Sequence, residues 1–117
     1  MDILHLRQYC LSLPHVTEDI KWEKNLCFLI GDKMFCVASL EGKFNFSFKV
    51  MSEEFDELCS MEGIIPAPYL AQYKWILVQN PACFSTKEWE QYIEQSYGLI
   101  KSNLSRSVLK KILTNFW

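Results

Sequence analysis

Few side chains in this sequence could carry covalent or proton-transfer chemistry. The thiols are Cys10, Cys27, Cys36, Cys59 and Cys83, and the imidazoles are His5 and His15. A thiol becomes a nucleophile only beside a base, so any cysteine chemistry would have to recruit one of those two histidines. The cysteines are odd in number and widely, irregularly spaced, with no Cys-x-x-Cys pair to suggest zinc or redox work. Most sit among apolar neighbours, as in Leu26-Cys27-Phe28 and Phe35-Cys36-Val37. Buried, reduced thiols in a cytoplasmic protein are the reading that fits. Carboxylates cluster at Glu53, Glu54, Asp56 and Glu57, and hard cations favour such clusters. Neighbours on a helix splay around its axis, however, and a solvated acidic face is the plainer reading. No phosphate loop, metal signature or nucleophile elbow is present. The expectation is a protein that is not an enzyme, with no cofactor and no resident metal.

Non-covalent recognition has better candidates. The stretch Gly63-Ile64-Ile65-Pro66-Ala67-Pro68-Tyr69-Leu70-Ala71-Gln72-Tyr73-Lys74-Trp75 concentrates prolines and aromatics. Pro66 and Pro68 fix their own φ and push Ile65 and Ala67 toward extended geometry. Neither proline can donate to a ladder, so a strand containing them lies at a sheet edge or ends there. Tyr69, Tyr73 and Trp75 read either as packing aromatics or as the lining of a groove, with Tyr69 and Trp75 as its walls. The basic residues are unevenly placed. Twelve Lys and Arg oppose fourteen Asp and Glu, a net charge of −2 and a pI near 5.7. Yet Lys101, Arg106, Lys110 and Lys111 face no acidic residue to the end of the chain.

The elements that would position these groups are legible in part. A chain of 117 residues, half of them hydrophobic and 22% charged, specifies one globular domain. No apolar run approaches the roughly 20 residues needed to cross a bilayer, and the N-terminus lacks the pattern of a secretory signal. Asp2 caps a first helix with Ile3, Leu6, Cys10 and Leu13 on one face, and Pro14 stops it. Val16 to Asn25 reads as a polar loop holding Trp22. Leu26–Ile30, a Gly31-Asp32 turn and Lys33–Leu40 form a hairpin. Phe44, Phe46 and Phe48 alternate with polar residues and add a third strand, with the three rings on one buried face. Ser52 opens an acidic helix that carries Phe55, Leu58 and Cys59 inward and ends at Gly63 as its C′ residue. Trp75–Val78 is a short strand. Ser85 and Glu88 make a capping box for a long helix bearing Trp89, Tyr92, Ile93, Ser96, Tyr97, Ile100 and Leu104. Ser105 caps a last helix with Val108, Leu109, Ile112, Leu113 and Phe116 as its stripe.

In this order the pieces resemble the MmcQ/YjbR family. Those that carry the likeness are Leu6 to Glu18, Lys33-Met34-Phe35, Phe48-Lys49, Gly63 to Tyr69, Trp75 and Ser96-Tyr97. Each is weak alone; together they span nearly the whole chain. The resemblance implies a single α+β domain of CyaY-like fold over residues 1–117. It consists of an N-terminal helix, a three-stranded antiparallel meander, a helix, further short strand and two C-terminal helices. It also implies likeness to a "double wing" module, from which a DNA-binding role follows by analogy of shape. The family supplies no catalytic residues to carry over. The basic end of the chain is here diluted to Ser105-Arg106-Ser107-Val108-Leu109-Lys110-Lys111.

On this reading the protein is a DNA-associated module with no membrane partner. Lys49, Lys74, Lys101, Arg106, Lys110 and Lys111 touch phosphates, and Tyr69 and Trp75 stack or pack. The alternative is a protein-interaction module that uses the Tyr69/Trp75 surface without nucleic acid or catalysis. If DNA binds, the contacts are lysines and an arginine rather than a base-reading helix. Binding is then weak, non-specific and strongly salt-dependent.

Overall fold

The computed structural model describes residues 1–114, the side chain of Thr114 aside. Phe116, assigned above to the last apolar stripe, lies outside the described residues. The first helix, α1 (Ile3–Ser12), starts where the Asp2 carboxylate accepts the His5 amide at 2.8 Å. Leu6 and Cys10 are its buried residues. Next come β1 (Val16–Lys21), β2 (Asn25–Ile30), β3 (Lys33–Ser39) and β4 (Phe46–Lys49). They are followed by α2 (Ser52–Cys59), β5 (Ile64–Pro66) and β6 (Trp75–Val78). The chain continues through α3 (Thr86–Ser102), opened by the reciprocal Ser85/Glu88 cap, and α4 (Arg106–Thr114).

The strands build one antiparallel sheet in the order β1-β2-β3-β4-β6-β5. Its register sorts the residues into two faces. Leu26, Ala38, Phe46 and Val78 form one cross-strand row, and Phe28, Cys36, Phe48 and Ile76 the next; all are buried. Helix α3 packs against β2, β3 and β4, α1 against β1, and α2 against β5 and β6. The Phe44, Phe46 and Phe48 rings stack in a ladder with centroids 5.3 and 5.8 Å apart. The Trp89 ring meets Phe46 edge-on at 5.4 Å, and its indole N–H donates to the Pro81 carbonyl. Phe46 and Phe48 are fully buried; Phe44 is half-buried and lies just before the strand.

One buried hydroxyl joins helix to sheet. The β3–β4 ladder closes at Cys36 opposite Phe48, and the next pair, Phe35 and Lys49, is held apart. Into that gap Ser96 of α3 donates to the Phe35 carbonyl at 2.7 Å and accepts the Lys49 amide at 3.0 Å. Beyond this point β3 and β4 part. Phe35 itself is the extra residue of a bulge between Phe28 and Leu29 on the partner strand, so Phe35 and Cys36 both turn inward.

Two sequence expectations are corrected. Val16–Asn25 is not a loop: its first six residues are the edge strand β1, paired in full register with β2. Thr17, Glu18, Asp19 and Ile20 are all exposed, so no hydrophobic alternation marks the strand in the sequence. Gly63 is not the C′ residue of α2, which is capped by Ser60. Gly63 has a φ of +90°, and its carbonyl accepts the amides of Gln79 and Asn80. A Cβ there would lie 2.7 Å from that of Asn80, so this close approach is what requires glycine. The proline expectation holds: β5 carries Pro66 and is an edge strand.

Candidate functional site

The face of the sheet turned away from the helices has no helix of its own among the described residues. Met34, Val37, Ser39, Ser47 and Leu77 lie on it, each half-buried, with Cys27, Val37, Ser47, Leu77 and Ile65 in cross-strand register. One hollow opens here, and a second beside it reaches the C-terminal end of α3. The larger, about 550 Å³, has Val37, Leu77 and Met34 in its lining, with Asn25, Ser39, Asn45 and Ser47 as polar groups. Among the described residues no charged side chain lines it. The smaller, about 380 Å³, is lined by Lys21, Lys33 and Lys49 together with Asp32, Tyr73 and Trp75, and by Ile100 and Asn103 from the end of α3. Met34 lines both, so the two meet there.

Two exposed aromatics wall the neutral hollow, and each rides on a tight turn. Ala67-Pro68-Tyr69-Leu70 is closed by the Leu70 amide donating to the Ala67 carbonyl at 3.1 Å. Tyr69 occupies its third position with a φ of +67°, where such a turn ordinarily takes glycine or asparagine. Its side chain is 96% exposed. Opposite, the β1–β2 connection turns through Trp22 and Glu23, with φ of +54° and +63°; Trp22 is 70% exposed. Left-handed geometry at a bulky residue costs on the order of 1–3 kcal/mol.

The lysines of the cationic hollow sit at strand ends and are held by backbone carbonyls. Lys49, the last residue of β4, donates from Nζ to the Tyr73 carbonyl. Lys33, the first of β3, donates from Nζ to the Asn103 carbonyl at 3.4 Å. Burial pushes the Lys49 ammonium's pKa down, and the neighbouring Lys74 pushes it further. An anion beside them would offset the repulsion between the two lysines.

The sequence-derived site residues divide among several places. Lys49 belongs to the cationic hollow. Lys74 lies next to Lys49, with its Nζ 4.9 Å above the Phe55 ring. Lys101 covers the Tyr97 ring at 5.7 Å. Arg106, Lys110 and Lys111 are exposed on α4, away from β4 in the chain. Lys111 lines a further cavity of about 650 Å³ with His15, Asp32 and Gly31. Tyr69 stands in the open as a groove wall, but Trp75 is 5% exposed and serves chiefly as packing. Sequence reasoning missed Lys21, Lys33 and Trp22. The available signal was their position beside two different hairpin turns, but only the folded sheet shows that both lysines line one hollow.

The remaining chemistry-bearing groups are otherwise engaged. His5 Nε2 lies 2.7 Å from Glu90, and Arg7 holds Glu18 in a two-pronged pair, which lowers the carboxylate's pKa. All five cysteines are free; Cys10, Cys27 and Cys36 are buried, and burial pushes the Cys36 thiol's pKa well up. Within the acidic helix, Glu54 accepts from the Met51 amide and from Gln95. Among the described residues no three His, Cys, Asp or Glu are grouped to hold a metal ion.

Known proteins offer a family and two solved folds. The YjbR family model matches residues 11–99. Protein DR2400 of Deinococcus radiodurans, whose crystal structure is described as a DUF419 domain, is similar at 22% identity with a TM-score of 0.83. That match covers 95% of this chain and 87% of the other. A crystal structure of a Pseudomonas syringae protein is similar at 23% identity and a TM-score of 0.71, covering 85% and 98% respectively. At such identities the two structures speak for the α+β fold alone. No curated protein matches the chain. With three-quarters of its length matched by one model, the chain belongs to the YjbR family.

Proposed function

We propose that this protein is a DNA-associated module that binds nucleic acid weakly through backbone phosphates. The observation that supports this best is the hollow that Lys21, Lys33 and Lys49 all line, with Asp32 as the one carboxylate among its described lining residues. On a chain with a net charge of −2, such a grouping is not expected of lysines scattered for solubility. Lys74 extends the cationic surface beside Lys49. This reading places the contacts on the sheet rather than on α4, whose Arg106, Lys110 and Lys111 provide an independent basic surface.

The test is a fluorescence titration of a labelled duplex at several salt concentrations. Each neutralised phosphate contributes about 0.9 to the slope of log K against log salt, so three lysines give about −3. Replacing Lys21 and Lys33 by Ala flattens the slope by about 2 units if the hollow binds. If the loss instead follows Arg106, Lys110 and Lys111, α4 is the contact surface. No binding at low salt overturns the proposal and leaves the groove beside Tyr69 as a protein-interaction surface.

A further inference from the structure

We infer that the nucleic acid this module takes is single-stranded, with an unpaired base seated between Trp22 and Tyr69 while its phosphates lie against the lysines. The inference rests on the phosphate reading above and adds the class of strand. The two hollows are complementary in the way a strand is. One half is cationic, the other carries no charged side chain, and Met34 joins them. The neutral half, at about 550 Å³, is in the size range of small-molecule sites and could accept a nucleobase. Its apolar floor, Val37 and Leu77, suits a ring face, and Asn25, Asn45 and Ser47 offer uncharged donors and acceptors for a ring edge.

The aromatics carry the argument further. Trp22 and Tyr69 do little for the core, being 70% and 96% exposed, yet both hold left-handed backbone that bulky residues avoid. Folding stability gives no reason to place them there. Stacking does, since every base has a face to offer and exposed aromatics beside a basic track are how single strands are held without sequence preference. A duplex can reach the lysines with its phosphates. It cannot present a base face to Trp22 or Tyr69 without unpairing it.

The experiment compares a labelled oligothymidylate of about eight nucleotides with a duplex of equal length at one low salt concentration. The single strand binds more tightly, and its binding quenches tryptophan fluorescence through Trp22. Tyr69→Ala shrinks the preference for the single strand about 5- to 150-fold, the range for one stacked base, and Tyr69→Phe retains it. Equal affinity for the two forms, or a preference untouched by Tyr69→Ala, overturns the inference and leaves the phosphate reading standing. Loss of binding to both forms on Lys21→Ala with Lys33→Ala supports the shared lysine contact. Absence of binding to either form in the unaltered protein overturns both.

Discussion

Ser96 shows how much one hydroxyl can decide. It is fully buried and serves two backbone groups, the Phe35 carbonyl and the Lys49 amide, at the point where β3 and β4 part. Ser96→Ala leaves both unpaired in the interior, at about 1–3 kcal/mol each, so a urea melt should show a loss of about 2–6 kcal/mol. Phe46 tests packing instead of pairing. It is fully buried, stacked on Phe48 and met edge-on by Trp89. Phe46→Ala should cost about 3–5 kcal/mol, and a loss under about 1 kcal/mol would contradict its burial. Tyr9 reports on pH. Its hydroxyl donates to Glu94 of α3 at 3.2 Å, and burial, then Glu94, raise its pKa from 10.0 to about 12. Because the folded value is the higher one, the fold favours the neutral phenol. That contribution is complete below about pH 10 and is lost as the pH climbs through about 12. Alkaline unfolding followed by circular dichroism should begin in that window, and Tyr9→Phe should delay it.

At the scale of elements, the turn between β2 and β3 ties the sheet to α4. Gly31 has a φ of +66°, and a Cβ added there would stand 2.8 Å from Val108 Cγ1. Gly31→Ala therefore suffers both left-handed strain and a clash with a stiff side chain, about 1–3 kcal/mol in a thermal melt. Gly42→Ala, with φ +70° but open space around it, bears only the conformational part. The hairpin, the phenylalanine ladder and the capped α3 were legible in the sequence because each buries one face and so leaves a period of two or 3.6. β1 was not, since its central residues are exposed on both sides and it holds its place by the ladder to β2. Its Glu18 and Asp19 also discourage a second strand from adding to that free edge. The same physics explains the site. Tyr69 could be found from its proline-rich turn; Trp75, six residues on, is nearly buried and lines the cationic hollow. Lys21 and Lys33 stand twelve residues apart in the chain and pair at opposite ends of β2, so nothing local in the sequence announces that both line one hollow.

For the molecule as a whole, asymmetry matters more than net charge. Helices cover one face of the sheet; the other holds a neutral hollow, which meets at Met34 a cationic one that reaches the end of α3. Nucleic acid recognition by this face predicts where contact occurs, independently of how tight it is. The direct measurement is a titration of isotope-labelled protein with oligothymidylate at low salt, followed by amide chemical shifts. The account predicts movement at Lys33, Ser39, Ser47 and Tyr69, with the Trp22 indole shifting as well and the amides of α4 unmoved. Shifts confined to Arg106, Lys110 and Lys111, or no shifts at any oligonucleotide concentration, would contradict it.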